Sequence, residues 1–191
     1  MVSLTLGTAQ FVALHRSRHD DVRLSVVLIP GWREPRSGHL RLYARLADAL
    51  WDSGVPVETW QFDLAGQGES VLPDDAGRWP EQLAAVVAQC RARVYLIGRG
   101  MGAVLAAAVG DAAARVVAVA PPHLGAAQAD RIEQLGCEEA VLADKEAGRR
   151  RAAQLWQQVG PASYDLTVPA DDALDLIRRD VVDFQRGEGP C

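Results

Sequence analysis

The chain has 191 residues, 49% hydrophobic and 24% charged, the balance of an ordinary globular protein long enough to bury a core within one domain. A net charge of −5 with no long basic run argues against nucleic acid as the main partner, and no run of about 18 apolar residues is available to span a membrane. Three scattered cysteines, Cys90, Cys137 and Cys191, make no disulfide framework. The N-terminus lacks the basic-then-apolar pattern of a secretion signal, so reduced thiols in a cytoplasm are expected, and the abundance of Ala, Arg and Asp suggests a bacterial source.

In chain order, residues 3–14 alternate loosely and predict a strand pair turning at Gly7. Residues 24–29, LSVVLI, form a continuous apolar run closed by Pro30–Gly31, the pattern of a strand buried on both faces. After the loop GWREPRSGH, the residues Leu42, Tyr43, Leu46, Ala47, Leu50 and Trp51 recur at helical spacing, and Gly54 supplies a stop. Residues 56–62, PVETWQF, predict the next strand. A helix follows from about Trp79 to Cys90, then strand 93–97, a glycine-rich turn, an alanine-rich helix from Met101, and strand 115–120.

Residues 139–159 read either as one helix or as a short strand, Ala140–Ala143, followed by a helix. SYDLTV, 163–168, is strand-like. A last helix has Leu174, Ile177, Val181 and Phe184 on one face, with Asp171 as its expected N-cap. Strands alternating with helices at this spacing predict an α/β fold, a mostly parallel sheet with helices on both faces. One domain is expected over residues 1–186, with 187–191 as a flexible tail.

The stretch richest in information is VYLIGRGMGAVLAAAV, in which a buried strand runs into Gly98-Arg99-Gly100-Met101-Gly102 and directly into a helix. It resembles the nucleophile elbow, G-x-S-x-G, of the α/β-hydrolases. Three further pieces agree in order. The apolar strand ending in PGW precedes a helix, FDLAGQGES carries Asp63, Gly66, Gly68 and Ser70 as D-x-x-G-x-G-x-S, and VVAVAPP follows the elbow helix. The resemblance covers about residues 22–125, and within it the span from Ile29 to Ser70 is especially similar to exosortase-system-associated hydrolases and their serine-aminopeptidase-like relatives. The resemblance implies a compact α/β-hydrolase fold without a large lid domain, with a small lid over residues 122–138 as one option. It implies an acyl or ester-like ancestral ligand and oxyanion-hole positions at the N–H groups of Trp32 and Met101.

The catalytic triad of that family is missing. Its serine falls on Gly100, which offers no side-chain nucleophile. Its histidine is expected near the C-terminus, yet His15, His19, His39 and His123 are the only histidines. The acid falls on Asp144 or on Asp171/Asp172, depending on how the C-terminal strand is read. His123, beyond the strand at 115–120, and His39, at the start of the first helix, are the candidate acids or bases. Arg99 is a candidate for holding a carboxylate or phosphate, against the alternative of a solvated arginine. Trp32 is a candidate cleft wall, and Asp63 a stabiliser of its own loop. The arginines at 149–151 read as a solvated helix face.

No HExxH or Cys/His cluster occurs, and G-R-G-M-G-A has neither dinucleotide-fingerprint spacing nor the GK[ST] of a P-loop, so no metal or cofactor is expected. Three functional readings follow. The first is a degenerate member of the fold that binds a small acyl or carbonyl compound and assists a lyase, isomerase or cyclisation step. The second is a pseudoenzyme that acts through a protein partner. The third is a hydrolase whose nucleophile has been replaced by Gly100.

Overall fold

The computed structural model describes residues 1–73, 75–109, 113–119, 163–164 and 170–186. Among these, the strands are β1 (Val2–Leu6), β2 (Ala9–Ser17), β3 (Leu24–Ile29), β4 (Val57–Phe62), β5 (Arg93–Arg99), β6 (Arg115–Val119) and β7 (Ser163–Tyr164). The helices are α1 (Leu42–Asp52), α2 (Trp79–Val87), α3 (Met101–Ala108) and α4 (Ala170–Arg186). The strands form one sheet in the order β1-β2-β4-β3-β5-β6-β7. β1 and β2 pair antiparallel, as do β2 and β4, and every pair from β4 to β7 is parallel.

Period-2 alternation sorts the central strands onto two cores. Val27 and Ile29 of β3 join Phe62, Leu96, Leu83 and Leu105 beneath α2 and α3. Leu24, Val26 and Leu28 join Leu46, Leu50, Ile97, Val117, Ile177 and Val181 beneath α1 and α4. All six residues of β3 are buried, as the unbroken apolar run requires.

Several boundaries differ from the sequence reading. β2 continues to Ser17, because its far end pairs with the start of β4, Ser17 opposite Glu58. α2 ends at Val87, so Cys90 lies beyond it. α4 begins at Ala170, which places Asp171 inside the first turn rather than at the cap. Trp51, expected on the buried stripe of α1, is only half-buried and has the guanidiniums of Arg16 and Arg18 against its ring. The helix or strand over 139–159, the lid option at 122–138 and the tail at 187–191 lie outside the described residues.

A polar tie locates α4. Asp180 is buried, accepts the Tyr95 hydroxyl of β5, and accepts Arg115 Nη2 of β6 at 2.6 Å. No helix among the described residues is long and apolar enough to cross a membrane.

Candidate functional site at the strand–helix turn

The parallel strands end at one edge of the sheet, where ligands of open α/β folds bind. There the β5–α3 turn is as tight as its glycines suggest. A Cβ on Gly98 would fall 2.1 Å from the carbonyl oxygen of Gly102. A Cβ on Gly102 would fall 2.3 Å from that of Ile29 and 2.5 Å from that of Pro30. The obstructing atoms are all backbone, so neither position accepts a side chain without moving strand or helix.

Gly100, between them, differs. Its φ is +56°, the left-handed region that an elbow residue must adopt. Among the described residues, a Cβ there would meet nothing within 4 Å. The turn is fixed by the Gly100 N–H donating to Val119 O at 3.0 Å and the Ala103 N–H donating to Gly100 O at 3.1 Å. The backbone is therefore posed to present a side chain clear of the described residues, and the sequence supplies none.

Trp32 and Met101, the two positions assigned to an oxyanion hole, lie on adjoining backbone. Met101 opens α3, and Trp32 lies in the loop that follows β3. The loop and the turn touch, since a Cβ on Gly31 would fall 3.1 Å from Arg99 O. The Trp32 side chain packs partly into the core under α2 and α3, with the Arg33 guanidinium 4.9 Å from its ring centroid.

Arg99 holds a carboxylate, but one from the chain itself. Its Nη1 pairs with Glu34 Oε1, while Glu34 Oε2 accepts the Gly31 N–H at 3.1 Å. Burial lowers the pKa of Arg99 from its ordinary value. Glu34 was not among the residues singled out from the sequence, and its place three residues after Gly31 in an irregular loop gives no periodic signal. Below the turn, the buried Tyr43 hydroxyl donates to Ile29 O at 2.8 Å. Burial raises this phenol well above its usual range, against a smaller opposing effect from the Arg99 backbone, so it stays neutral.

Asp63 is occupied structurally. Its Oδ1 accepts the Arg36 N–H at 2.6 Å, and its Oδ2 accepts Arg36 Nη1 at 2.6 Å and the Glu69 N–H at 3.1 Å. A Cβ on Gly68 would lie 2.4 Å from Oδ1, which explains that glycine of the D-x-x-G-x-G-x-S stretch. Gln67 extends the tie by accepting the Arg33 N–H at 2.6 Å. The loop after β4 thus clamps the loop after β3 in position beside the turn.

Of the remaining candidates, His39 opens a short 3-10 turn just before α1, next to two positive φ angles at Leu40 and Arg41. His123 and Asp144 lie outside the described residues, as do the side chains of Asp171 and Asp172. Among the described residues, no group of three His, Cys, Asp or Glu is placed to hold a metal ion.

A serine, a glutamate and a histidine do meet, but at the opposite edge of the sheet. The fully buried Glu58 accepts the Ser25 hydroxyl at 2.6 Å, the Arg91 N–H at 2.9 Å, Arg91 Nε at 2.8 Å and His15 Nε2 at 2.9 Å. Burial by itself raises this carboxyl. Ser25, then Arg91, then His15 outweigh it, bringing the pKa to about 2. Serine and histidine both address the carboxylate rather than each other, so the imidazole has no path to the hydroxyl proton, and the cluster is no triad. Nearby Cys90 is pushed up to about 12 by burial and the Glu58 charge, which leaves an inert thiol.

A model of the alpha/beta hydrolase family matches residues 26–188. Alpha/beta hydrolase domain-containing protein 10 from mouse superposes with a TM-score of 0.65 at 13% identity, over 96% of this chain and 97% of that one. A protein from Agrobacterium vitis S4 gives 0.63 at 17% identity, over 96% and 97%. Est1E from Butyrivibrio proteoclasticus, solved with ferulic acid bound, gives 0.55 at 18% identity over 72% of this chain and 58% of its own, so the present chain spans less than two thirds of that protein's length. Comparison with curated protein sequences returns no match.

Proposed function

Because the chain belongs to the alpha/beta hydrolase family, we propose that it is a degenerate member that binds a small acyl or carbonyl compound above Gly100 and does not form an acyl-enzyme. The observation that carries this reading is the turn itself. Gly98 and Gly102 permit the close strand–helix contact, while Gly100 adopts a left-handed backbone angle with none of the described residues where a side chain would be.

Backbone N–H groups at a helix start attract a carbonyl oxygen or an anion, through their unsatisfied hydrogens and the helix dipole. A ligand oxygen directed at the Met101 N–H would lie beside the loop bearing Trp32. Without a serine, such polarisation favours enolisation, elimination or ring closure over acyl transfer, as lyase, isomerase or cyclase chemistry requires. His123 and His39 are the proposed proton carriers, and Asp144 the proposed acid partner. Arg99 is paired with Glu34, so a ligand carboxylate or phosphate would have to compete with that internal partner.

The alternative of an accessory subunit would need a contiguous apolar patch. The exposed large apolar side chains among the described residues are Met1, Val12, Leu40 and Val71. They are spread over separate stretches of chain and give that alternative no specific support.

Amide NMR during titration with phenyl acetate tests the proposal. The expected result is a saturable shift of the Trp32 and Met101 amide signals with no ester turnover above background. Absence of any shift would remove the binding reading. Ester hydrolysis gained by Gly100→Ser alone would instead reveal an intact base and restore the third reading, a hydrolase lacking only its nucleophile.

A further inference from the structure

The opposite edge of the sheet carries a cleft of about 580 Å³ that the turn does not use. We propose that it binds the phosphoryl group of a small phosphorylated molecule. Its walls include His15, Arg16, Arg18, His19, Arg91 and Trp51, with Asp20 the acidic residue among them. Two of the chain's four histidines and three guanidiniums thus converge on one opening in a protein whose net charge is −5. The volume lies within the range of small-molecule sites.

The basic side chains of the cleft are held in place rather than loosely solvated. Buried Glu58 fixes Arg91 through its N–H and Nε, and fixes His15 through Nε2. The His15 ring is also stacked on Trp60, with centroids 4.3 Å apart. Arg16 is braced by Asp48 at 2.6 Å, and its guanidinium lies 5.3 Å from the Trp51 ring centroid. Arg18 lies 5.6 Å from the same centroid and donates Nη1 to Trp51 O at 3.3 Å. Ser17 Oγ donates to His19 O at 2.8 Å and closes the loop.

These pairings leave specific donors over. Glu58 consumes one guanidinium N–H of Arg91, and Asp48 engages one nitrogen of Arg16. Among the described residues Arg18 has no carboxylate partner, and the Nε2 of His19 is buried without a hydrogen-bond partner. The Arg18 guanidinium, which no carboxylate of the described residues engages, and the spare N–H groups of Arg16 and Arg91 suit a multiply charged tetrahedral anion, whose oxygens accept from several directions. A planar monocarboxylate would satisfy fewer of them.

The test is calorimetric titration of the full chain with inorganic phosphate and with pyrophosphate at low ionic strength, with acetate as the control and tryptophan emission followed in parallel. Saturable binding of both phosphates is expected, stronger than acetate, with an emission change that disappears in Trp51→Phe. Arg18 is exposed, so Arg18→Gln should keep the wild-type denaturation midpoint while weakening phosphate at least about tenfold, the scale of one charge-assisted hydrogen bond. No saturable phosphate binding, equal affinity for acetate, or an Arg18→Gln variant that binds like wild type would each overturn the proposal. Attachment to anionic phospholipid vesicles without binding of free phosphate would also overturn it, by pointing to a membrane surface.

Discussion

Gly98→Ala and Gly102→Ala are each expected to destabilise the fold by about 3 kcal/mol or more, at the upper end of overpacking effects. The added methyl of Gly98→Ala would fall 2.1 Å from Gly102 O, and that of Gly102→Ala 2.3 Å from Ile29 O. A backbone carbonyl cannot rotate aside as a side chain can. Relief requires α3 to move off β5 or β3, the adjacent parallel strands against which it packs. Gly100→Ala is the internal control. Its methyl meets nothing within 4 Å among the described residues, so the expected cost is that of the left-handed φ of +56°, about 1–2 kcal/mol. Urea denaturation of the three variants measures this ordering directly. If Gly100→Ala were as damaging as Gly98→Ala, the space above the turn would be filled, and the site built on it would be lost.

Glu58→Gln should be comparably damaging, for an electrostatic reason. The carboxylate is fully buried and accepts from Ser25, His15 and two N–H groups of Arg91. An amide in its place turns one acceptor into a donor facing donors. Loss of one partner from a buried charge network costs about 3–5 kcal/mol. The same group gives the wild type an acid limb. Its folded pKa of about 2 lies below the ordinary 4.5, so its contribution is complete above roughly pH 4.5 and is lost as pH falls through 2. At about 1.4 kcal/mol per unit that contribution is about 3 kcal/mol. Denaturation midpoints between these two pH values should therefore fall more steeply for wild type than for Glu58→Gln. Parallel pH profiles would show that Glu58 is not held as a buried carboxylate.

Much of the fold was legible because its signals are local and periodic. LSVVLI must be buried on both faces and is β3; Leu42, Tyr43, Leu46 and Leu50 must share a face and do so on α1. The tight turn could be read because Gly98 and Gly102 match the outer glycines of the family stretch that G-R-G-M-G resembles, and a Cβ at either would meet backbone. Side-chain pairings made across the sheet were harder to read. Glu58 stands in PVETWQF as one charge in an apolar strand, and its partners come from β2, β3 and the loop before β5, 33 to 43 residues away. Glu34 and Arg99 are 65 residues apart in sequence, so the guanidinium read as a candidate ligand-holder gave no sign of its own internal carboxylate. The histidine and aspartate proposed as partners of the turn, His123 and Asp144, lie outside the described residues and stand as proposals.

Incubation of the unmodified chain with a fluorophosphonate probe, followed by mass spectrometry, bears most directly on the central claim that the turn presents no nucleophile. No rapid covalent adduct is expected at the turn, at Ser25 or at Cys90, because Gly100 offers only hydrogen, Ser25 is buried against Glu58 and Cys90 is an inert thiol. Rapid stoichiometric labelling of a serine would contradict the account, showing that this protein retains a working hydrolase centre at a position other than Gly100.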